Sequence, residues 1–237
     1  MTTTNRERTR LTQTIATRQG EAVTILAGPS HESFRVHKEL LIEHSEFFKD
    51  AFKEPGEEAE EDLVRLQDIE PDIFHIFLYW MYFQELPGQS VENIAQFQMA
   101  RVKAHIFGDR FIAHGFLKVV RYDFVDVMFE GQMLYCNTVI YGWNNLPSHD
   151  PLRELFVDLL VRDLCFADSN HPPEQLMKKL PKAFLLAFMI KVLEEEDEGV
   201  MAGNIGDRRG CVSRCEYHGH EYDEDFEECE YENSHNR

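Results

Sequence analysis

The sequence predicts an α+β fold: a small sheet of short strands packed by a helical cluster, followed by an all-helical extension. Two observations predict it. Three short β-prone segments all fall before residue 67, and the later apolar segments repeat at helical spacing. The chain has 237 residues, 43% of them apolar, which is enough to bury a sizeable core in one or two domains.

Residues 1–19 carry four arginines against one glutamate, are rich in Thr and lack an apolar period. They predict a disordered arm, with a weak organellar targeting peptide as the alternative. Ala22 to Leu26 is β-prone and ends at the turn signal Gly28-Pro29-Ser30. Ser33 to Val36 alternates and pairs back as the second strand of a hairpin. A short helical segment, His37 to Ile42, follows. Ser45 then reads as the N-cap of a helix carrying Phe47, Phe48, Ala51 and Phe52, ended by Pro55-Gly56. Residues 54–62 hold six acids in nine positions and read as a solvated loop, a docking site for a basic partner being the functional alternative. Leu63 to Leu66 reads as a third strand.

Pro71 opens a helix with Ile73, Phe74, Phe77, Leu78 and Met81 at helical spacing, and Ile76, Tyr79, Trp80 and Tyr82 cover its other faces. A helix apolar nearly all round is expected between layers. Pro87-Gly88 breaks the chain before helices over about Val91–Phe107 and Phe116–Met128. Asp150 caps a helix beginning at Pro151, whose stripe is Leu152, Leu155, Phe156, Leu159 and Leu160. Another helical segment runs from Glu174 to Leu193. Its end meets five consecutive acids, Glu194 to Glu198, which oppose the macrodipole and predict fraying.

These shifts divide the chain into a disordered arm over 1–19, an α+β domain over 20–130, a helical extension over 131–193 and an acidic, Cys/His-containing disordered tail over 194–237. Forty-three acids against 24 bases give a net charge of −19. The last 44 residues hold 15 of those acids and 4 of the bases. That balance argues against nucleic-acid binding, which rests on a basic surface. The longest near-continuous apolar stretch, Phe74 to Phe83, is about half the ~20 residues a membrane helix needs. Five unevenly spaced cysteines and no secretory signal point to an intracellular protein, cytoplasmic or nuclear.

The segment Phe34-x-Val36-His37-Lys38-x-Leu40-Leu41-x-x-His44-Ser45-x-Phe47-Phe48 resembles the signature of the BTB/POZ domain. Val64-x-Leu66-x-Asp68 ahead of Tyr79-Trp80-Met81-Tyr82 agrees with it, as does Phe107-Gly108-Asp109-Arg110-Phe111. The resemblance covers residues 20–130. Ile140-Tyr141, Asp150-Pro151-Leu152-Arg153, Leu180-Pro181-x-x-Phe184-Leu185 and Cys215-x-Tyr217-His218-x-His220 are similar to the helical extension and tail of short fungal BTB proteins. The resemblance implies a nearly complete chain, a BTB/POZ domain with little else.

It also implies a protein-interaction module without catalytic activity, associating with itself or with other protein partners, the scaffold of a cullin ubiquitin ligase among them. The substrate-reading kelch or MATH domain of a complete ligase adaptor is not visible in the sequence. Many family members carry an aspartate at the head of the first strand. Here that position is Ala22, after Glu21, and a one-residue shift on a strand reverses the face. The N-terminal strand and helix that many members exchange between subunits are not evident either, so a homodimer and a monomer both stay open.

Interaction residues are expected near the signature: Val36, His37, Lys38, Glu39, Phe47 and Phe48. His37 as a general base lacks an oriented partner and a nucleophile, and its expected role is a hydrogen bond to backbone at the strand-to-helix corner. No cofactor is expected except zinc. Cys211-x3-Cys215-x2-His218-x-His220-x8-Cys229 gathers five potential ligands in 19 residues, of which Cys215, His218, His220 and Cys229 supply a tetrahedral set. The paired Cys-x2-Cys knuckle is absent, and an acidic tail with exposed thiols remains the other reading. The alternative function is therefore a zinc-dependent binding or redox protein working through the tail.

Overall fold

The computed structural model of the chain describes residues 5–53, 63–88, 93–165, 178–197 and 214–218. It divides into two compact units, Met1–Val120 and Arg121–Arg237.

The first unit is α+β. Strands β1 (Ala22–Ala27) and β2 (Glu32–His37) form the expected antiparallel hairpin, with Ala22 opposite His37 and Ala27 opposite Glu32. Gly28 turns the chain with φ 72°, and a Cβ there would stand 3.0 Å from the Pro71 ring, so the tight turn and the close approach both require glycine. Strand β3 (Leu63–Leu66) lies parallel to β1, giving the order β2-β1-β3. Val23, Ile25 and Ala27 point from β1 into the core, while Thr24 and Leu26 are half-buried.

Helices α2 (Lys38–His44) and α3 (Glu46–Ala51) follow the hairpin. Helix α4 (Pro71–Phe83) starts at proline as expected and buries every residue from Ile73 to Met81. It is the axis of the core. Phe77 packs tilted against Phe107 and edge-on against Phe116, and Phe74 meets Phe34 edge-on. Helices α5 (Ile94–Arg110) and α6 (His114–Phe129) follow, the second crossing into the next unit. The expected Pro55-Gly56 terminator and the acidic loop lie outside the described residues.

The expected disordered arm is instead helical: α1 spans Asn5–Thr17. Leu11 is buried in the core and Ile15 packs against it. The Arg10 guanidinium lies 3.9 Å above the Phe83 ring and pairs with Glu85 at 2.6 Å. Two apolar residues four apart do not register as a period in a window this polar. They suffice because they join the hydrophobic core, and tertiary packing stabilises short helices more than propensity does.

The second unit is helical among its described residues. It contains α7 (Cys136–Asn145), α8 (Pro151–Cys165), α9 (Lys182–Asp197) and α10 (Arg214–His218). Asp150 caps α8 as expected, its carboxylate accepting the Leu152 N–H at 2.9 Å. Leu152, Leu155, Phe156, Leu159 and Leu160 are all buried. Over the described part of the expected 174–193 helix, residues 178–181 are not helical and α9 begins at Lys182, directly after Pro181, while residues 174–177 lie outside the described residues. It continues through Asp197, beyond the expected fraying point.

The tail was expected to be disordered throughout, yet residues 214–218 form α10. Cys215, Tyr217 and His218 are buried in it. The Tyr217 hydroxyl donates to the Asp158 carboxylate, which also pairs with Lys191 of α9 at 2.9 Å. His218 stacks on Tyr122 with ring centroids 4.1 Å apart. Aromatic and polar contacts, not an apolar stripe, hold this turn of helix, so periodicity gave no sign of it.

Candidate functional site

The features that single out one surface of the first unit meet where α3 begins and α5 ends. Ser45 is the hinge. Its hydroxyl accepts the Phe48 N–H at 3.3 Å, capping α3, and donates to the Phe111 carbonyl at 2.6 Å. The Glu46 N–H donates to the Ile112 carbonyl at 3.3 Å. The start of α3 is thereby fixed to the corner between α5 and α6.

That corner is a Schellman closure. The Ile112 N–H donates to the Asp109 carbonyl at 3.1 Å, and the Ala113 N–H to the Gly108 carbonyl at 2.9 Å. The position after the C-cap takes left-handed backbone and is usually glycine. Here it is Ile112, with φ 50°. A β-branched residue in that region is a genuine outlier, costing roughly 1–2 kcal/mol. Gly108 lets the two helices close so tightly: a Cβ there would stand 3.2 Å from the Leu117 Cα.

The strained residue is also exposed. Ile112 shows 40% of its surface and Phe47 41%, in a unit whose other aromatics are largely buried. Phe47 meets Phe111 edge-on at 4.9 Å and Phe48 at 5.3 Å, while Phe48 stacks on Phe111 at 5.5 Å. An exposed apolar pair is thus seated on a rigid aromatic base. Arg110 rims it, its guanidinium 5.5 Å from the Phe111 ring and bonded to Asp68. That hydrogen bond holds the Asp68 carboxyl below the usual carboxylate range. An apolar centre with a charged rim is the anatomy of a protein-docking surface.

The six residues expected at an interaction site separate by burial. Phe47 and Glu39 are exposed. Lys38 is half-buried, 3.6 Å from Glu21 and 5.2 Å from the Phe52 ring centroid. Val36, His37 and Phe48 are buried and do not present themselves on a surface; of the three, Phe48 packs beneath Phe47, with ring centroids 5.3 Å apart. His37 is a strut. Its Nδ1 accepts from the Tyr82 hydroxyl at 2.6 Å, that hydroxyl accepts the His37 N–H at 3.2 Å, and its Nε2 donates to the Arg18 carbonyl at 3.1 Å. Burial pushes the Tyr82 hydroxyl pKa up, against the lowering effect of the His37 N–H bond. Ile112 was missed by sequence reasoning, because a helix end without glycine or asparagine carries no turn signal.

Of the four expected zinc ligands, Cys215 and His218 are described, one helical turn apart and both buried. The His218 Nε2 lies 3.3 Å from an Asp126 carboxylate oxygen. His220 and Cys229 lie outside the described residues. Among the described residues no three potential ligands converge as a metal site would require. Among them, too, no helix is long and apolar enough to cross a membrane.

Comparison with known proteins agrees with the geometry of the first unit. The family model of the BTB/POZ domain matches residues 18–104. A similar protein is the BTB/POZ and MATH domain-containing protein 6 of Arabidopsis thaliana, 40% identical over 73 residues. That match covers 30% of this chain and 17% of the relative's length.

Proposed function

Residues 18–104 are a BTB/POZ domain, generally a protein-interaction module, and from that premise we propose that the chain works by binding, without catalysis, through the Phe47–Ile112 surface. The observation that carries this is the strain at Ile112. A β-branched, exposed residue occupies a left-handed position where glycine is the unstrained choice. Backbone strain of this kind clusters at functional sites, which supports reading Ile112 as part of a docking surface. The aromatic base under Phe47 pre-organises the surface, which reduces the entropy lost on docking.

The partner proposed is the N-terminal region of a cullin scaffold, which makes the chain a ligase adaptor and places it inside the cell. The test is a quantitative pull-down of that region with the full chain and with Phe47→Asp. The expected result is low-micromolar binding by the natural chain and at least a tenfold loss in the variant. No binding by the natural chain overturns the cullin reading. A crosslinking survey that returns the chain alone overturns the module reading.

The zinc reading of Cys215, His218, His220 and Cys229 rests on their sequence spacing. Its test is elemental analysis of the full chain purified without chelator, where less than about 0.2 zinc per chain contradicts the tight binding of a structural site.

A further inference from the structure

Helix α9 is apolar on two sides and covered on one. Its inner side packs along α8, with Phe184 fully buried against Trp143 and Lys191 paired to Asp158. On its outer side Leu186, Met189, Ile190 and Leu193 are 61%, 59%, 48% and 58% exposed. These four fall at i, i+3, i+4 and i+7, the spacing of a helix-pairing seam. A stripe of large apolar residues this exposed and this regular marks an interaction surface.

The charges of α9 select the occupant. Lys178, Lys179 and Lys182 stand at its N-terminal end and are exposed, while residues 194–197 at its C-terminal end are all acidic. Each group sits at the wrong pole of the helix macrodipole, so the isolated helix is electrostatically disfavoured at both ends. A second α9 laid antiparallel corrects this. The basic end of each helix then lies along the acidic end of the other, and the two dipoles oppose. The segments outside the described residues are poor competitors. Residues 219–237 are strongly acidic, and neither 166–177 nor 198–213 carries four aliphatic residues at seam spacing.

We propose that the outer face of α9 pairs antiparallel with the α9 of a second copy of this chain. The pairing is isologous, with Leu186 facing Leu193 of the other copy and Met189 facing Ile190. A single pair of 16-residue helices lies at the small end of specific interfaces, so micromolar association is expected.

The test is position-specific, so that any contact through the first unit does not enter it. Met189→Cys places a thiol beside the two-fold axis. Ala183→Cys places one near the helix start, where the two copies are roughly 20 Å apart if antiparallel and adjacent if parallel. Each full-length variant is oxidised at tens of micromolar, with the natural chain as background for its own cysteines. The expected result is a covalent dimer from Met189→Cys and none above background from Ala183→Cys. Adding Lys179→Glu and Lys182→Glu, both surface changes, is expected to cut the Met189→Cys dimer at least fivefold. No dimer above background from Met189→Cys overturns the proposal. A dimer from Ala183→Cys, or a yield indifferent to the charge reversals, overturns it as well.

Discussion

Helices α4 and α9 both carry large apolar side chains on more than one face, and they meet opposite fates. In α4 nine consecutive residues are buried, because strands, α1, α5 and α6 close over every face. In α9 one face is closed by α8, and four large side chains stay exposed on the other. The apolar faces of a helix therefore state how much surface needs covering, not whether the same chain covers it. Where it does not, the uncovered face carries the information about partners.

The largest effect that could break this contrast is a cavity. Phe77→Ala in α4 is expected to cost about 3–5 kcal/mol of stability, as loss of a buried aromatic does. Leu186→Ala in α9, assayed at high dilution, is expected to cost less than about 0.5 kcal/mol, like other surface changes. Urea unfolding of the two variants measures both. Equal costs would mean that α9's outer face is covered within the chain.

A second variant sharpens what holds the inner face. Tyr217→Phe removes the hydroxyl that donates to Asp158, whose carboxylate also pairs with Lys191 of α9. The loss expected is about 1–3 kcal/mol, the cost of a buried acceptor deprived of its donor. Burial first, and then the Asp158 hydrogen bond, push the Tyr217 hydroxyl far above its usual pKa. The folded state therefore holds this proton more tightly than the unfolded chain. The associated stability is complete below the ordinary tyrosine pKa of about 10 and is lost as pH rises above it. Alkaline unfolding curves should steepen beyond pH 10 in the natural chain, and less so in Tyr217→Phe.

The smallest effect concerns exposure with strain, at Ile112, against exposure without it, on α9. Ile112→Gly is expected to leave stability within about 1 kcal/mol of the natural chain, since relief of the left-handed backbone offsets the burial lost from a side chain that is 40% exposed. Differential scanning calorimetry reads the sign. A clear fall in Tm would show that the Ile112 side chain works for the fold.

The strands, their hairpin, α4 with Pro71 at its head and α8 with Asp150 as its cap are legible in the sequence, because each has a local signal: alternation, a turn dipeptide, a proline, a capping side chain. Helices α1 and α10 are not. Leu11 finds its burial in the surface of α4, and Tyr217 finds its partner 59 residues away in Asp158, so neither has a local signature. The candidate site is half legible. Phe47 stands out in the residue 34–48 motif, but Ile112 owes its exposure and strain to a helix closure that local sequence does not announce.

The central claim is that the Phe47–Ile112 surface is kept for binding at the expense of stability. The most direct measurement is the affinity of full-length Ile112→Gly for the cullin N-terminal region, beside that of the natural chain, by isothermal titration calorimetry. At least a tenfold weaker affinity in a variant of similar stability to the natural chain is the predicted result. Binding by the natural chain that Ile112→Gly leaves unchanged would contradict the claim and move the docking surface elsewhere.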